Sequence, residues 1–368
     1  MPTLTVERTP TLRLTPLTID PPLPADPALR SGIDDLIART KLTFTNVAAE
    51  TEPVGQSGLE VAVRNFMSTR RPEARETYRS KARTLLLAPV EMRTAEFGRY
   101  ASASTTRLQQ SGVTDLKSFG AFHIDPSALR LADKNEPELW QGLGAALRTY
   151  EAQKAAAEDI AAGAAYKHLQ LTIHHVHCYA ETSELGADEI ALGGIVTFPN
   201  GDSTVVNEFM VSSDFNEGDT VDVGKIFANW TIDAGPAWPH VYSALIAMAE
   251  KDDGGFWQFL HDLWNEVAPQ VKELISTGAG AAIGGALGGL WGAVIGAVVG
   301  AIIGFIINTF DNADDIIGQK TFVMSLGAAT KSYYDWAQLT SGNGLYYNVN
   351  YYGDDGHYSM NGRFRVAA

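Results

Sequence analysis

Between Thr277 and Phe310 the chain carries no Asp, Glu, Lys, Arg or His, and within that run seven glycines, Gly280, Gly284, Gly288, Gly292, Gly296, Gly300 and Gly304, stand four residues apart. Small residues at this spacing cut a groove along a helix and let a second backbone come close enough for dispersion contacts to hold the pair. Each four-residue step advances an ideal helix by about 400°, so the groove drifts by about 40° per glycine and winds through about 240° over the ladder. A single straight partner cannot follow it. The ladder predicts either a right-handed helix partner or a break at the doublets Gly284-Gly285 and Gly288-Gly289, where glycine loosens the backbone. A continuous helix over 278–307 would measure about 45 Å against a hydrocarbon core of about 30 Å, whereas each arm of a hairpin would reach only about 20 Å. The run therefore suits one membrane span or a buried hairpin.

The rest of the chain has the composition of an acidic globular protein: 19% charged residues, a net charge of −15 and a mean hydropathy of −0.07. The opening residues Met1-Pro2-Thr3-Leu4-Thr5 lack the charged-then-apolar layout of a secretory signal, which predicts synthesis in the cytoplasm and later release or delivery to a target membrane. The single cysteine, Cys178, excludes an internal disulfide framework. The acidic balance argues against a nucleic-acid partner, because there is no basic stripe to offset phosphate charge.

Three stretches follow from the punctuation. Residues 1–33 hold seven prolines, Pro2, Pro10, Pro16, Pro21, Pro22, Pro24 and Pro27, and read as an extended leader that lies over the fold or docks to a protein partner. Residues 34–168 read as helical, with helices over Glu73–Leu87 and from Asn135-Glu136-Pro137-Glu138 onward, the second burying Leu139, Trp140, Leu143, Ala146 and Leu147. From 169 to 368 short β-branched segments alternate with Gly, Asn and Asp turns such as Pro199-Asn200-Gly201-Asp202. The expected fold class is α+β: a helical N-terminal region, then an antiparallel β-sandwich with an apolar helical hairpin inserted at 255–310.

The insertion opens with a second kind of helix. Trp257, Leu260, Leu263, Trp264, Val267, Val271 and Leu274 recur at three and four residues, with Gln258, His261, Asp262, Asn265, Glu266 and Lys272 on much of the other face. Pro269 predicts a kink. This is either a cover for the sandwich or an interface-seeking helix joined to an inserting one. On these residues the insertion resembles glycine-zipper membrane segments and the hydrophobic hairpins of colicin-type pore-forming toxins. The resemblance covers about 55 residues and implies the ability to insert, through Trp257, Trp264, Trp291, Phe305 and the seven glycines.

Two weaker constellations could hold metal. His175 and His177 share one face of a strand and could give two nitrogen ligands to zinc, with His174 and Cys178 pointing away. Asp188, Glu189, Asp252 and Asp253 look like the acidic loops with which some sandwiches bind Ca2+. Both have a bland reading as solvated polar residues. No Gly-x-Ser-x-Gly elbow, phosphate loop or His-Glu-x-x-His is present, so no catalytic residue is assigned and the chain is not read as an enzyme.

The function expected from sequence is that of a pore-forming or translocating toxin or effector. It would expose 256–310, insert into a lipid membrane and self-associate through the glycine groove, with protonation of Asp311, Asp314 and Asp315 easing burial in acid. The alternative is a structural or cargo-type protein of a larger assembly, docked through its leader, with the glycine ladder as a packing device.

Overall fold

The computed structural model describes residues 17–21, 27–50, 57–102, 167–182, 187–232, 240–250, 255–278, 290–310, 316–326, 344–353 and 355–367. After a short strand at Leu17–Ile19 come helices α1 (Pro27–Ala49), α2 (Gly58–Thr69), α3 (Pro72–Leu87) and α4 (Val90–Phe97), followed by a 3-10 turn at Gly98–Tyr100. α2 begins on a capping box, in which Ser57 and Glu60 each accept from the other's backbone N–H. α3 starts with Pro72, whose missing N–H costs nothing in a first turn.

The strands form two antiparallel sheets. Sheet 1 has the order β1-β7-β6-β3-β4, and sheet 2 the order β5-β2-β9-β8. The strands are β1 (Leu17–Ile19), β2 (His168–Ala180), β3 (Asp188–Thr197), β4 (Ser203–Phe215), β5 (Thr220–Thr231), β6 (His240–Glu250), β7 (Ile316–Leu326), β8 (Leu345–Gly353) and β9 (Gly356–Ala367). Between β6 and β7 run α5 (Phe256–Gly278) and α6 (Leu290–Phe310). The fold is thus α+β, with helices ahead of the sheets and two more helices inserted between their strands. In the β3–β4 hairpin, Asn200 Oδ1 accepts the Asp202 N–H and Gly201 takes φ +85°, a left-handed angle that glycine adopts freely.

Sheet 1 is the middle of three layers, and β6 shows why. One side of it, Tyr242, Ala244, Ile246 and Met248, packs into the core between the sheets; the other, Leu245, Ala247 and Ala249, packs into a second core with the helices. A strand buried on both faces has no polar alternation. The second core joins both helical regions: Phe44 of α1 lies 6.2 Å from Phe66 of α2, 6.1 Å from Tyr78 of α3, 5.9 Å from Phe259 of α5 and 5.3 Å from Phe310 of α6, centroid to centroid. Asp35 adds a polar tie within the layer, taking Arg39 at 3.2 Å, Arg99 at 2.7 Å and the Tyr100 hydroxyl at 2.9 Å.

The leader is partly structural. Leu17, Thr18 and Ile19 pair antiparallel with Met324, Val323 and Phe322 at the edge of sheet 1, and Asp20 accepts both the Thr321 N–H and the Lys320 ammonium at 2.8 Å. Its proline-rich end already turns helical at Pro27. The helix expected from Asn135 lies outside the described residues.

Candidate functional site

The inserted pair α5–α6 is built as a cover and a core. α5 turns Phe259, Leu260, Leu263, Trp264, Val267 and Val271 inward, all at most 2% exposed, while Gln258, Asn265 and Glu273 face water. The helix runs unbroken through Pro269. Pro269 is itself exposed, so the hydrogen bond it removes lies on the water side. Both tryptophans face the sheet: Trp264 Nε1 donates to Ser203 Oγ of β4 at 3.0 Å, and the Trp257 ring lies against Gly193 of β3, where an added Cβ would come within 3.0 Å of it. In this state α5 serves as a lid on sheet 1.

α6 sits beneath it. Val294, Ile295, Val298, Val299, Ile302, Ile303 and Ile306 are at most 2% exposed, packed among α1, α3, α5, β6 and β7. The less buried stripe runs through Ala297, Gly300, Ala301, Gly304 and Ile307 to the polar end at Asn308 and Thr309, and is uncharged where most helices of a folded domain would show charge. Phe305 packs edge-on to Phe97 and Phe310, and the Lys41 ammonium stands 4.8 Å over its ring while also bonding Glu96 at 3.0 Å. Among the described residues no helix is long and apolar enough to cross a membrane. The described side chains of α6 run over 294–310, about 25 Å of helix against about 30 Å of hydrocarbon.

Gly296 and Gly300 of the ladder meet a strand where sequence predicted a helix. A Cβ on Gly296 would lie 2.6 Å from Thr321 Cγ2 of β7, and one on Gly300 would lie 3.3 Å from Gln319 Nε2, which donates to the Gly300 carbonyl at 3.1 Å. Small residues admit any close neighbour, and side chains on the face of a strand fill the groove as a helix would. Thr321 and Gln319 are packing partners with no signal in the glycine spacing. A Cβ on Gly304, by contrast, would meet nothing within 4 Å. Gly280, Gly284 and Gly288 lie outside the described residues, as do Asp311, Asp314 and Asp315; Trp291 and Gly292 belong to α6, but their surroundings are not described.

The residues proposed to hold metal are placed as follows. His175 Nδ1 bonds Asp222 Oδ1 and His177 Nδ1 lies 2.8 Å from Thr220 Oγ1, both partners on β5. His174 does not point away from them. A register shift between Ile173 and His175 on both neighbouring strands inserts a bulge, which puts His174 on the same outer face, against His175 and Tyr346. Asp188 is 3% exposed and accepts the Thr182 N–H at 2.9 Å, the Thr182 hydroxyl at 2.8 Å and the Tyr358 hydroxyl. Glu189 follows it in β3 and is exposed on the opposite side, because strand side chains alternate. Asp252 and Asp253 lie outside the described residues. Among the described residues no three His, Cys, Asp or Glu side chains gather to hold a metal ion.

Cys178 is fully buried between the sheets, and burial, aided by Asp188, Glu181, Glu217 and Asp219, pushes its thiol up to about 12. The attacking species in alkylation is the thiolate. At about pH 8 iodoacetamide should therefore modify the folded chain at least about 100-fold more slowly than the urea-unfolded chain, where an ordinary thiol of pKa about 8.5 is exposed. Comparable rates, read by mass spectrometry, would place Cys178 in an open environment.

No family profile, no curated protein and no solved structure matches the chain. The functional reading therefore rests on the geometry of α5, α6 and the sheets.

Proposed function

We propose that the protein inserts α5 and α6, with the uncharged residues 277–289 before α6, into a target membrane, and that the fold above is the form in which it stores them. The observation that carries this reading is Gly304. Glycine in a helix interior costs about 1 kcal/mol relative to alanine. Gly296 and Gly300 offset that cost by admitting β7, but Gly304 touches nothing that alanine would displace. A ladder that continues past the contacts of the stored fold is explained by a second state, in which α6 packs glycine to glycine with another copy in lipid. The uncharged run over 277–310 supplies the length that the described part of α6 lacks, and the amphipathic α5 ahead of it supplies an interfacial anchor. The outcome would be a pore or the translocation of the attached domain.

The packing of Gly296 on Thr321 favours the second reading, a structural or cargo-type protein that uses the ladder only as a packing device within a larger assembly. One pair of substitutions separates the two. Gly304→Ala should raise the stored fold's stability by up to about 1 kcal/mol through helix propensity alone. Gly296→Ala should lower it by about 1–3 kcal/mol, because the new methyl drives into Thr321. If the ladder works in lipid, both should reduce dye release from vesicles despite their opposite effects on stability. Release that merely follows stability, rising for Gly296→Ala, or no release by the wild type at any pH, defeats the membrane reading.

A further inference from the structure

Sheet 2 has an outer face that the membrane reading of α5–α6 does not use, and its chemistry differs from the rest of the chain. The protein as a whole has 43 acidic and 28 basic residues. The strands of sheet 2 carry a single carboxylate, Asp222, against Lys225, Arg363 and Arg365, and they hold five of the chain's eight histidines, His168, His174, His175, His177 and His357. The bulge at His174 is what brings two neighbouring histidines to the same side. His174 lies with its ring 6.0 Å from that of Tyr346 on β8 and 6.1 Å from that of His175, and it feels both Arg363 and Arg365 of β9. Tyr346 and Tyr352 are 57% and 63% exposed, and the Tyr179, His357 and Tyr352 rings stack across three strands at 4.5 and 4.4 Å.

We propose that this outer face is a docking surface for an anionic lipid bilayer, held more tightly as its histidines take up protons. Four adjacent strands present a face about 19 Å across, broad enough to lie on a surface. Arginine and imidazolium supply positive charge to phosphate headgroups, and exposed tyrosines are side chains that settle at the headgroup level, with an apolar ring and a polar tip. The face has a direction. Glu181, Glu217, Asp219 and Asp355 follow or precede the strands at the β8–β9 turn end, so the cationic half is the opposite one, around His174, His175, Arg363, Arg365 and Tyr346. Among the described residues, the charged and titratable groups meeting there are His174 and His175 from β2, Asp222 from β5, Arg363 and Arg365 from β9 and Tyr346 from β8. Burial, then Arg363, His175 and Arg365, hold the His174 imidazole below its ordinary range. Ordinary imidazoles change charge between about pH 5 and 8. Protonation of His174 in acid adds positive charge to a face on which Asp222 is the one carboxylate of the four strands.

The choice of a bilayer as occupant rests on the membrane reading above, but docking and insertion are read separately. The full chain is sedimented with phosphatidylcholine vesicles, with and without phosphatidylglycerol, at about pH 7.5 and about pH 5, and dye release is followed in parallel. The expected result is binding to the anionic vesicles alone, at least about tenfold tighter in acid and weakened by salt, which screens exposed charges. The variant His174→Gln/Arg363→Gln/Arg365→Gln should lose about tenfold or more in affinity with its thermal midpoint retained, and Tyr346→Ser should lose affinity by a separate route. Equal binding by the triple variant and the wild type, equal binding to neutral vesicles, or no gain in acid would overturn the proposal. Variant-sensitive binding to heparin or duplex DNA without vesicle binding would overturn it in favour of a soluble polyanion. Acid binding without dye release would leave docking standing and defeat insertion; undiminished release by a triple variant that no longer docks would do the reverse.

Discussion

Phe44→Ala is expected to destabilise the chain by about 3–5 kcal/mol, the range for deleting a buried phenylalanine ring. Phe44 is 1% exposed and contacts α2, α3, α5 and α6 together, through Phe66, Tyr78, Phe259 and Phe310. Tyr78 and Phe310, stacked at 5.0 Å, close the far side of the same cluster. The cavity left by alanine is walled by rings from four helices, so the helical layer should loosen before the sandwich does. Urea unfolding followed by near-ultraviolet circular dichroism gives the loss. A change under about 1 kcal/mol would show that the aromatic cluster does not hold α5 and α6 in place. If these helices are stored for release, the same variant should also release vesicle dye under milder acid than the wild type.

Gly362→Ala is expected to cost about 4 kcal/mol or to prevent folding altogether, through a different part of the molecule. A Cβ there would lie 1.9 Å from the Thr172 carbonyl oxygen, 2.3 Å from the Tyr347 hydroxyl and 2.7 Å from its Cζ. Tyr347 crosses over Gly362, its register partner, to donate to that same carbonyl at 3.1 Å. Burial holds the phenol far above its ordinary ionisation range, so it stays a neutral donor. A methyl at Gly362 overpacks the crossing and strips a buried hydroxyl of its acceptor, each worth about 1–3 kcal/mol. Shortening Tyr347 to alanine should not rescue the variant, since the carbonyl belongs to the β2–β9 ladder and cannot retreat. Recovery of the thermal midpoint in the double variant would mean that the side chain, and not the backbone, sets the limit.

Elements with their own local code were legible in the sequence. The helix expected over Glu73–Leu87 is α3, because strong helix formers follow a proline that can only start a helix. The Asn200-Gly201 turn and the strands of sheet 2 are where alternation and turn chemistry put them, since one side of each strand faces water. β6 was not legible: Val241-Tyr242-Ser243-Ala244-Leu245-Ile246-Ala247-Met248 alternates nothing, because both of its faces are covered. The partner of Gly296 and Gly300 was misread for a related reason. Glycine spacing reports that something comes close, not what it is, and Thr321 and Gln319 sit on a strand that pairs with β6. The bulge that turns His174 outward has no signal in the sequence, because a one-residue insertion in a strand leaves the composition unchanged. The shared core of α1–α3 with α5 and α6 was likewise hidden, since amphipathic stripes state that a helix is covered without naming the cover.

The stored-helix account is tested most directly at the position that the fold leaves open. Gly304 has space for a side chain and Cys178 is buried and apolar in its surroundings, so Cys178→Ala/Gly304→Cys accepts a single polarity-sensitive fluorophore on α6. With anionic vesicles at about pH 5, the account predicts a blue-shifted emission. Lipid-borne quenchers should reach the label and aqueous iodide should not. Emission that stays as in buffer, with the label open to iodide and closed to lipid quenchers, would contradict it and leave α6 a helix that never departs from its place beneath α5.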